Sequence, residues 1–278
     1  MALLSKPVLL IKIDDYHLSL AILGKRKQPV YGHKKYELDE GIIAEGRLIK
    51  GSSVKSIINS YLAGRPEVKG CSAAVLLRTP LAIYRFADFS VLSGKDMEDA
   101  VGLNYDRYLP VSREEYILDY RPLRQEDSTV RAMLAAIPRS LPEPYLHIME
   151  ELRLKAVLLD LYPNCLADMM KEKDGGGIFA LSMGGSSLLV IYMEKGRLMG
   201  VREIPAQNEE RLAEEVRKLS GYFSYPSIER MYFLDKGGYG YKPLLQRLYP
   251  DCGFVELEEP ELELMEELAN RLRNCTEG

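Results

Sequence analysis

LLIKIDDYHLSLAILGK at Leu9–Lys25 and FALSMGGSSLLVIYMEK at Phe179–Lys195 are the two stretches of sequence that decide the fold. Each reads as a strand, a tight turn and a second strand, because apolar residues dominate both arms and small or acidic residues fill the turn. The repeat predicts a fold of two lobes that each begin with a hairpin, with a cleft between them. Four apolar positions superimpose, since Leu181, Met183, Leu188 and Val190 correspond to Ile11, Ile13, Leu18 and Leu20.

The two turns differ in what they offer to an anion. The second turn, Gly184–Ser187, has the sequence GGSS, and its glycines can adopt positive φ and present backbone N–H groups as phosphate-holding loops do. The first turn carries Asp14 and Asp15 instead, and two carboxylates repel phosphate oxygens. We expect these aspartates to pair with the neighbouring Lys12. The first turn is therefore predicted not to hold a nucleotide.

The composition is typical of a globular protein that has no general affinity for nucleic acid. The 278 residues include 37 lysines and arginines against 41 aspartates and glutamates, a formal net charge of -4. This balance attracts neither nucleic acid nor anionic lipid. The acidic stretch Glu256–Glu267 is predicted to form a solvated helix face.

Cysteine usage and hydropathy indicate the compartment. Cys71, Cys165, Cys252 and Cys275 lie far apart with no histidine near them, which predicts reduced thiols in a cytosolic protein rather than disulfides or a zinc site. The apolar run near the N-terminus ends at Lys12, and no later segment reaches roughly 18 uninterrupted apolar residues, so we expect neither a signal peptide nor a transmembrane helix. Any membrane association would then require a partner.

Strands and helices interleave along the chain, which predicts an α/β fold. The glycine-rich run Lys173–Gly177 reads as a hinge, and the basic cluster from Lys25 to Lys35 reads as a solvated hairpin edge. Strands are predicted at 8–13, 18–23, 73–78, 83–89, 116–121, 129–137, 156–160, 178–182, 188–193, 198–204, 230–234 and 253–257, and helices at 52–63, 95–107, 142–153, 161–172, 208–223, 242–248 and 261–273.

Five segments carry a resemblance to a known family: Ile11–Ser19, Ala100–Tyr120, Leu152–Pro163, Leu181–Pro205 and Ile228–Leu245. In order and spacing they resemble the PilM family of type IV pilus assembly proteins, within the actin-like, Hsp70-like ATPase superfamily. The resemblance implies an actin-like (ribonuclease H-like) two-lobed fold, with 1–174 as the first lobe, an inserted subdomain at about 81–138, and 178–278 as a reduced second lobe. Too few residues follow Pro205 for the family's helical lobe over the nucleotide, so we expect that lobe to be missing.

Departures from the family pattern concern the nucleotide site. Family members place an aspartate in each hairpin to hold a hydrated Mg²⁺, and the resemblance puts Lys12 and Ser182 at those positions, with Asp14 where the family has a glycine. We therefore expect a pseudo-ATPase with no catalytic residues and no ATP, Mg²⁺ or other cofactor, whose glycines serve only as turns. The degenerate site implied by the resemblance comprises Lys12, Asp14, Ser182, Gly184, Gly185, Ser186, Gly237 and Gly238.

Three function classes stay open from the sequence. The leading one is a cytosolic scaffold, recruited to the inner face of the membrane, that binds the cytoplasmic N-terminal segment of a single-span membrane protein resembling PilN. The machine would be a type IV pilus, secretion or competence system, and the alternatives are a nucleotide-switched ATPase and a small-molecule kinase. The resemblance implies a peptide groove between the first lobe and the insert, where Tyr105, Tyr108 and Leu109 are candidate anchors. These three residues could equally pack the core of the insert.

Overall fold

The computed structural model describes residues 6–25, 28–90, 94–126, 129–171, 177–184, 187–205, 214, 218, 228–234, 242–257 and 260–277. Strands and helices alternate along these ranges, so the prediction of an α/β fold is confirmed. The strands are β1 (Val8–Ile13), β2 (His17–Leu23), β3 (Val30–Glu37), β4 (Ile43–Ala44), β5 (Arg47–Leu48), β6 (Ser72–Leu77), β7 (Ile83–Ser90), β8 (Tyr116–Glu126), β9 (Thr129–Pro138), β10 (Lys155–Leu161), β11 (Gly177–Gly184), β12 (Ser187–Glu194), β13 (Arg197–Pro205), β14 (Ile228–Phe233) and β15 (Gly253–Glu256). The helices are α1 (Gly51–Ala63), α2 (Gly94–Leu103), α3 (Tyr105–Tyr108), α4 (Glu143–Glu151), α5 (Tyr162–Met170), α6 (Lys242–Leu248) and α7 (Pro260–Glu277).

The first sheet is built around the first hairpin. Its five strands lie in the order β10-β6-β1-β2-β3, with β1 antiparallel to β2 and parallel to β6. Strand β1 is buried along its whole length, and a central strand covered on both faces reads as a continuous apolar run. That run is VLLIKI, broken only by Lys12. Helix α1 packs against β2 and buries Val54, Ile58 and Tyr61.

The second sheet repeats this topology. Its order is β13-β12-β11-β14-β15, so the hairpin formed by β11 and β12 again lies beside two parallel strands. The registers also agree, since Leu181 faces Val190 just as Ile11 faces Leu20. The predicted superposition of the two hairpins is therefore confirmed. The core of this sheet contains Leu188, Val190, Tyr192, Met231, Phe233, Leu245 and Cys252.

Helix α7 follows the last strand of the second sheet and packs back on the first sheet. It contacts α5, β1 and β3. Arg271 on this helix donates to the carboxylates of Asp160 and Asp168, the latter at 3.0 Å from Nη1. The C-terminal helix thereby joins the second half of the chain to the first. None of the helices in the described ranges has the length and apolarity needed to cross a bilayer.

The chain divides into two compact units, Met1–Thr79 with Tyr145–Gly278, and Pro80–Pro144. The first unit contains both five-stranded sheets. The second contains the three-stranded antiparallel sheet β7-β9-β8 with α2 and α3, and the insert expected at about 81–138 lies inside it. The expected loss of a helical lobe after Pro205 falls on residues that are mostly outside the described ranges. The hydrophobic core of the second unit includes Ala87, Phe89, Met97, Val101, Val130, Ala132 and Leu134.

The structure adds one long strand that the sequence did not predict. Strand β3 overlaps the cluster that was expected to be a solvated hairpin edge, and it forms the outer edge of the first sheet. Nearly all of its residues are exposed, so it lacks the alternation of buried and exposed positions that marks a strand. Lysines such as Lys34 and Lys35 on an edge strand also discourage pairing with other chains.

Candidate functional site

The turn of the first hairpin is held by hydrogen bonds to the carboxylate of Asp14. One oxygen of Asp14, Oδ1, accepts hydrogen bonds from the backbone N–H groups of Tyr16 at 3.0 Å and His17 at 2.8 Å, and its Oδ2 lies 3.2 Å from Nζ of Lys12. Burial alone would raise the pKa of Asp14, but the Lys12 charge and the hydrogen bonds from His17 and Tyr16 hold that pKa well below its usual range. The predicted pairing with Lys12 is confirmed for Asp14, whereas Asp15 binds backbone N–H groups instead.

Asp15 occupies a second set of backbone donors. Its carboxylate accepts the N–H groups of Glu45 at 3.0 Å and Gly46 at 2.8 Å, two consecutive residues with φ of 55° and 78°. Consecutive N–H groups in such a conformation form a concave anion site. In this structure the anion is the carboxylate of Asp15. A Cβ at Gly46 would lie 2.6 Å from Cβ of Thr79, so the position requires glycine.

The buried side chain of Lys12 contacts acidic and aromatic residues. It is 5% exposed, its Nζ lies 3.7 Å from Oε1 of Glu261 on α7, and it lies 5.6 Å from the ring centroid of Tyr162. Burial alone would lower the pKa of Lys12, but the charges of Asp14, Tyr162 and Glu261 outweigh burial and raise that pKa. Glu261 also pairs with Lys35 at 2.6 Å. Glu261 belongs to the acidic stretch Glu256–Glu267, which was predicted to be a solvated helix face. For Glu261 this prediction is wrong, because its side chain pairs with two lysines of the first sheet.

Arg78 connects the first sheet to the second hairpin, and sequence reasoning missed it. Its backbone N–H donates to the carbonyl of Ile13 at 3.1 Å. Its Nη2 lies 3.2 Å from Oε1 of Glu203 on β13 and 3.5 Å from the carbonyl oxygen of Ser187. The Ser187 hydroxyl donates to the same Glu203 carboxylate. The guanidinium also lies 5.5 Å from the ring centroid of Tyr162. The ring of Tyr162 is therefore close to two buried cations, Lys12 and Arg78.

The other residues predicted for the nucleotide site are only partly described. Ser182 and Gly184 lie in β11, where they pair with Leu189 and Ser187 of β12. The structure therefore brings Lys12 and Asp14 together but does not test the glycine-rich turns. Among the described residues no group of three or more His, Cys, Asp or Glu side chains could hold a metal ion. Gly185, Ser186, Gly237 and Gly238 lie outside the described residues.

The predicted peptide anchors lie in the second unit. Tyr105 and Leu109 are 3% and 1% exposed and form a small core with Ala136. Tyr108 is half-buried, and its ring lies 5.7 Å from that of Phe89. Their packing inside this unit matches the alternative left open by the sequence, and their role in peptide binding stays a prediction.

Comparison with known proteins rests on structure alone, because no family model and no curated protein matches this chain. One similar structure is the PilM-PilN type IV pilus biogenesis complex, with a TM-score of 0.76 and 18% identity over 95% of this chain and 98% of that one. Another is a Bacteroides thetaiotaomicron protein with an actin-like ATPase fold and unknown function, with a TM-score of 0.62 and 11% identity over 97% and 98% of the two chains. This chain has a PilM-like, actin-like fold.

A third similar structure is the cytoplasmic domain of EpsL, an inner membrane component of the type II secretion system of Vibrio cholerae. Its TM-score is 0.52, with 11% identity over 96% of this chain and 95% of that one. At these identities the likeness establishes the fold. In this chain the first hairpin carries Lys12, Asp14 and Asp15, and Arg78 directly follows β6. All four side chains contact other residues of the same protein.

Proposed function

We propose that this chain is an actin-like scaffold that docks the cytoplasmic N-terminal segment of a membrane protein resembling PilN. It would act in a type IV pilus, secretion or competence machine, at the cytoplasmic face of the membrane to which its partner recruits it. The observation that carries the proposal is the full-length structural likeness to the PilM-PilN complex. The likeness to the cytoplasmic domain of EpsL supports the same kind of role.

The contacts of the first hairpin support the view that the scaffold is a pseudo-ATPase. Phosphate groups need free cations or backbone N–H groups, and Mg²⁺ needs carboxylate oxygens. Here Lys12 and Arg78 pair with carboxylates of the protein, and the N–H groups of Glu45 and Gly46 bind Asp15. A nucleotide would have to break these contacts before making its own.

Mg-ATP at millimolar concentration is therefore expected to change the melting temperature by less than about 1 °C. A ligand at 100 times its dissociation constant would stabilise the fold by about 2.7 kcal/mol, which corresponds to a shift of roughly 5 °C or more for a protein of this size. The measurement is a thermal melt with Mg-ATP, Mg-ADP and magnesium alone. A magnesium-dependent shift of several degrees would contradict the pseudo-ATPase and favour the nucleotide-switched alternative.

The sheet of the second unit has a face that suits a peptide. Helices α2 and α3 pack with alternate residues of the sheet, and the other alternate positions include Tyr84 and Phe86 on β7 and Ile117 on β8. Ile117 is 37% exposed, and both aromatic residues are half-buried. Aromatic and apolar anchors within a polar rim are typical of peptide-binding surfaces.

Replacing Phe86 with alanine is expected to weaken peptide binding about thirtyfold, because loss of one buried anchor costs about 2 kcal/mol. The measurement titrates labelled N-terminal peptides of the membrane proteins encoded beside this gene. Leu103→Ala is the matched control, since Leu103 belongs to the same unit and is 83% exposed on α2. Binding weakened only by Tyr105→Ala and Tyr108→Ala, in folded protein, would place the groove on the helical side. If no peptide binds, the scaffold proposal fails.

A further inference from the structure

An open cavity of about 400 Å³ lies in the first unit, between α1 and the turn that follows α4. It offers hydroxyl and amide groups, two cations and one carboxylate. The α1 residues recur at intervals of three and four, so they share one face of that helix. The lining includes Ser52, Lys55, Ser56, Asn59, Glu151 and Arg153.

The charges of this cavity are unevenly paired. Nζ of Lys55 lies 3.2 Å from Oε1 of Glu151, which accounts for one cation and the carboxylate. The exposed guanidinium of Arg153 makes no hydrogen bond or ion pair with any residue of the described ranges. After the pairing of Lys55 with Glu151, the lining has one cation, Arg153, that is not paired within it.

Arg153 also has a backbone conformation that its side chain does not favour. The N–H of Leu154 donates to the carbonyl of Met149 at 2.8 Å and the N–H of Arg153 to that of Glu150 at 2.9 Å. These bonds place Arg153, with φ of 56°, at the left-handed position after the helix where glycine is usual. A cation at the C-terminal end of a helix interacts favourably with the helix dipole, by about 0.3–1 kcal/mol at an exposed site. Glycine would relieve the backbone strain at this position and lose that small interaction.

We infer that this groove binds an extended, acidic segment of a protein partner. Arg153 takes a carboxylate of the segment, since guanidinium and carboxylate match as a two-pronged pair. Ser52, Ser56 and Asn59 bond its backbone or side-chain polar groups. These residues span roughly 10 Å along α1 at 1.5 Å per residue, the length of about three residues of extended chain. This second docking surface does not depend on the proposed function.

The test titrates a fluorescein-labelled hexaglutamate peptide into the full chain and follows fluorescence anisotropy at low salt. Hexaglutamine is the control for the carboxylate, and inorganic phosphate is the competitor. We expect hexaglutamate to bind at least about tenfold more tightly than hexaglutamine, because a charge-assisted hydrogen bond is worth that much. Equal binding of the two peptides, or no binding of hexaglutamate at millimolar protein, overturns the inference. If inorganic phosphate displaces hexaglutamate and binds with a similar affinity, the site binds small anions rather than a peptide. This result also contradicts the inference.

Arg153→Gly separates binding from folding. Because glycine suits the left-handed backbone, this variant is expected to fold with about the stability of the wild type while losing about tenfold in hexaglutamate affinity. Lys195→Gly is the matched control, since Lys195 is an exposed cation with φ of 49° in the turn between β12 and β13, away from the cavity. It removes the same charge and the same strain, and should keep wild-type affinity. Unchanged binding by Arg153→Gly, or an equal loss in Lys195→Gly, contradicts the proposal.

Discussion

Replacing Arg78 with alanine is expected to lower the free energy of unfolding by about 3–5 kcal/mol. The side chains of Arg78 and Glu203 are 6% and 9% exposed, and removing one partner of a buried pair leaves the other charge buried and unpaired. Ser187 would still donate to Glu203, but a hydroxyl cannot neutralise a carboxylate. The measurement is urea unfolding followed by circular dichroism, with linear extrapolation to water.

A matched control tests whether burial, not distance, sets this cost. The pair of Lys55 and Glu151 has the same 3.2 Å separation, but its side chains are 40% and 39% exposed. Lys55→Ala should therefore cost less than about 1 kcal/mol. The double variant Arg78→Met with Glu203→Leu should recover most of the loss, because no charge is left stranded. If Arg78→Ala costs no more than Lys55→Ala, the link between the two sheets contributes little to stability.

The hairpin repeat could be predicted because it rests on local pattern. Side chains alternate between the two faces of a strand, so a slip of one residue would move every apolar side chain to the wrong face. Only one register aligns the apolar positions of both hairpins, and the pairs Ile11 with Leu20 and Leu181 with Val190 follow from it. The order of the remaining strands was not predicted, since composition does not specify which strands pair.

The partners of the buried charges could not be predicted, because they come from distant parts of the chain. Lys12 and Asp14 are two positions apart, and their pairing followed from the sequence. Glu203 is 125 positions from Arg78, and the residues next to each of them in the sequence do not indicate the contact. Glu261 lies in a run of glutamates that has the composition of a solvated face, yet it packs against Lys12 and Lys35. Only the tertiary structure shows which charged side chains are buried together.

The insert shows a similar limit. Tyr105, Tyr108 and Leu109 have the residue types of peptide anchors, and the same types fill hydrophobic cores. The structure buries Tyr105 and Leu109 within their own unit. Tyr84, Phe86 and Ile117 were not predicted as anchors, because apolar residues occur on both faces of these strands. The sequence pattern does not show which of two apolar faces the helices cover, and the structure does.

Replacing Arg271 with alanine is expected to destabilise the chain by about 3–5 kcal/mol and to loosen its C-terminal helix. Arg271 is the shared partner of Asp160 and Asp168, whose side chains are 6% and 10% exposed. Burial alone would lower the pKa of Arg271, but its contacts with Asp160 and Asp168 raise that pKa further above its usual value. Without the guanidinium, Asp168 keeps its ion pair with Lys171, but Asp160 keeps only neutral donors, the N–H of Leu161 and the amide of Asn164. Asp160 is then a buried charge that has lost its countercharge, which is the costly case. Urea unfolding gives the stability, and limited proteolysis reports cleavage within α7.

Two further variants show whether the loss comes from charge, geometry or the helix itself. Arg271→Lys keeps the charge but cannot bond two carboxylates in a fork, so an intermediate loss is expected. Arg273→Ala is the control on the same helix, because Arg273 bonds the neutral oxygens of Asn270 and Gln28 at 3.0 and 2.9 Å; its loss should cost about 1 kcal/mol. Faster proteolysis of α7 in Arg271→Ala alone would show that the buried pair holds the helix to the first sheet. Equal losses in Arg271→Ala and Arg273→Ala would instead assign the attachment of α7 to its apolar face, where Leu264, Leu268 and Leu272 are buried.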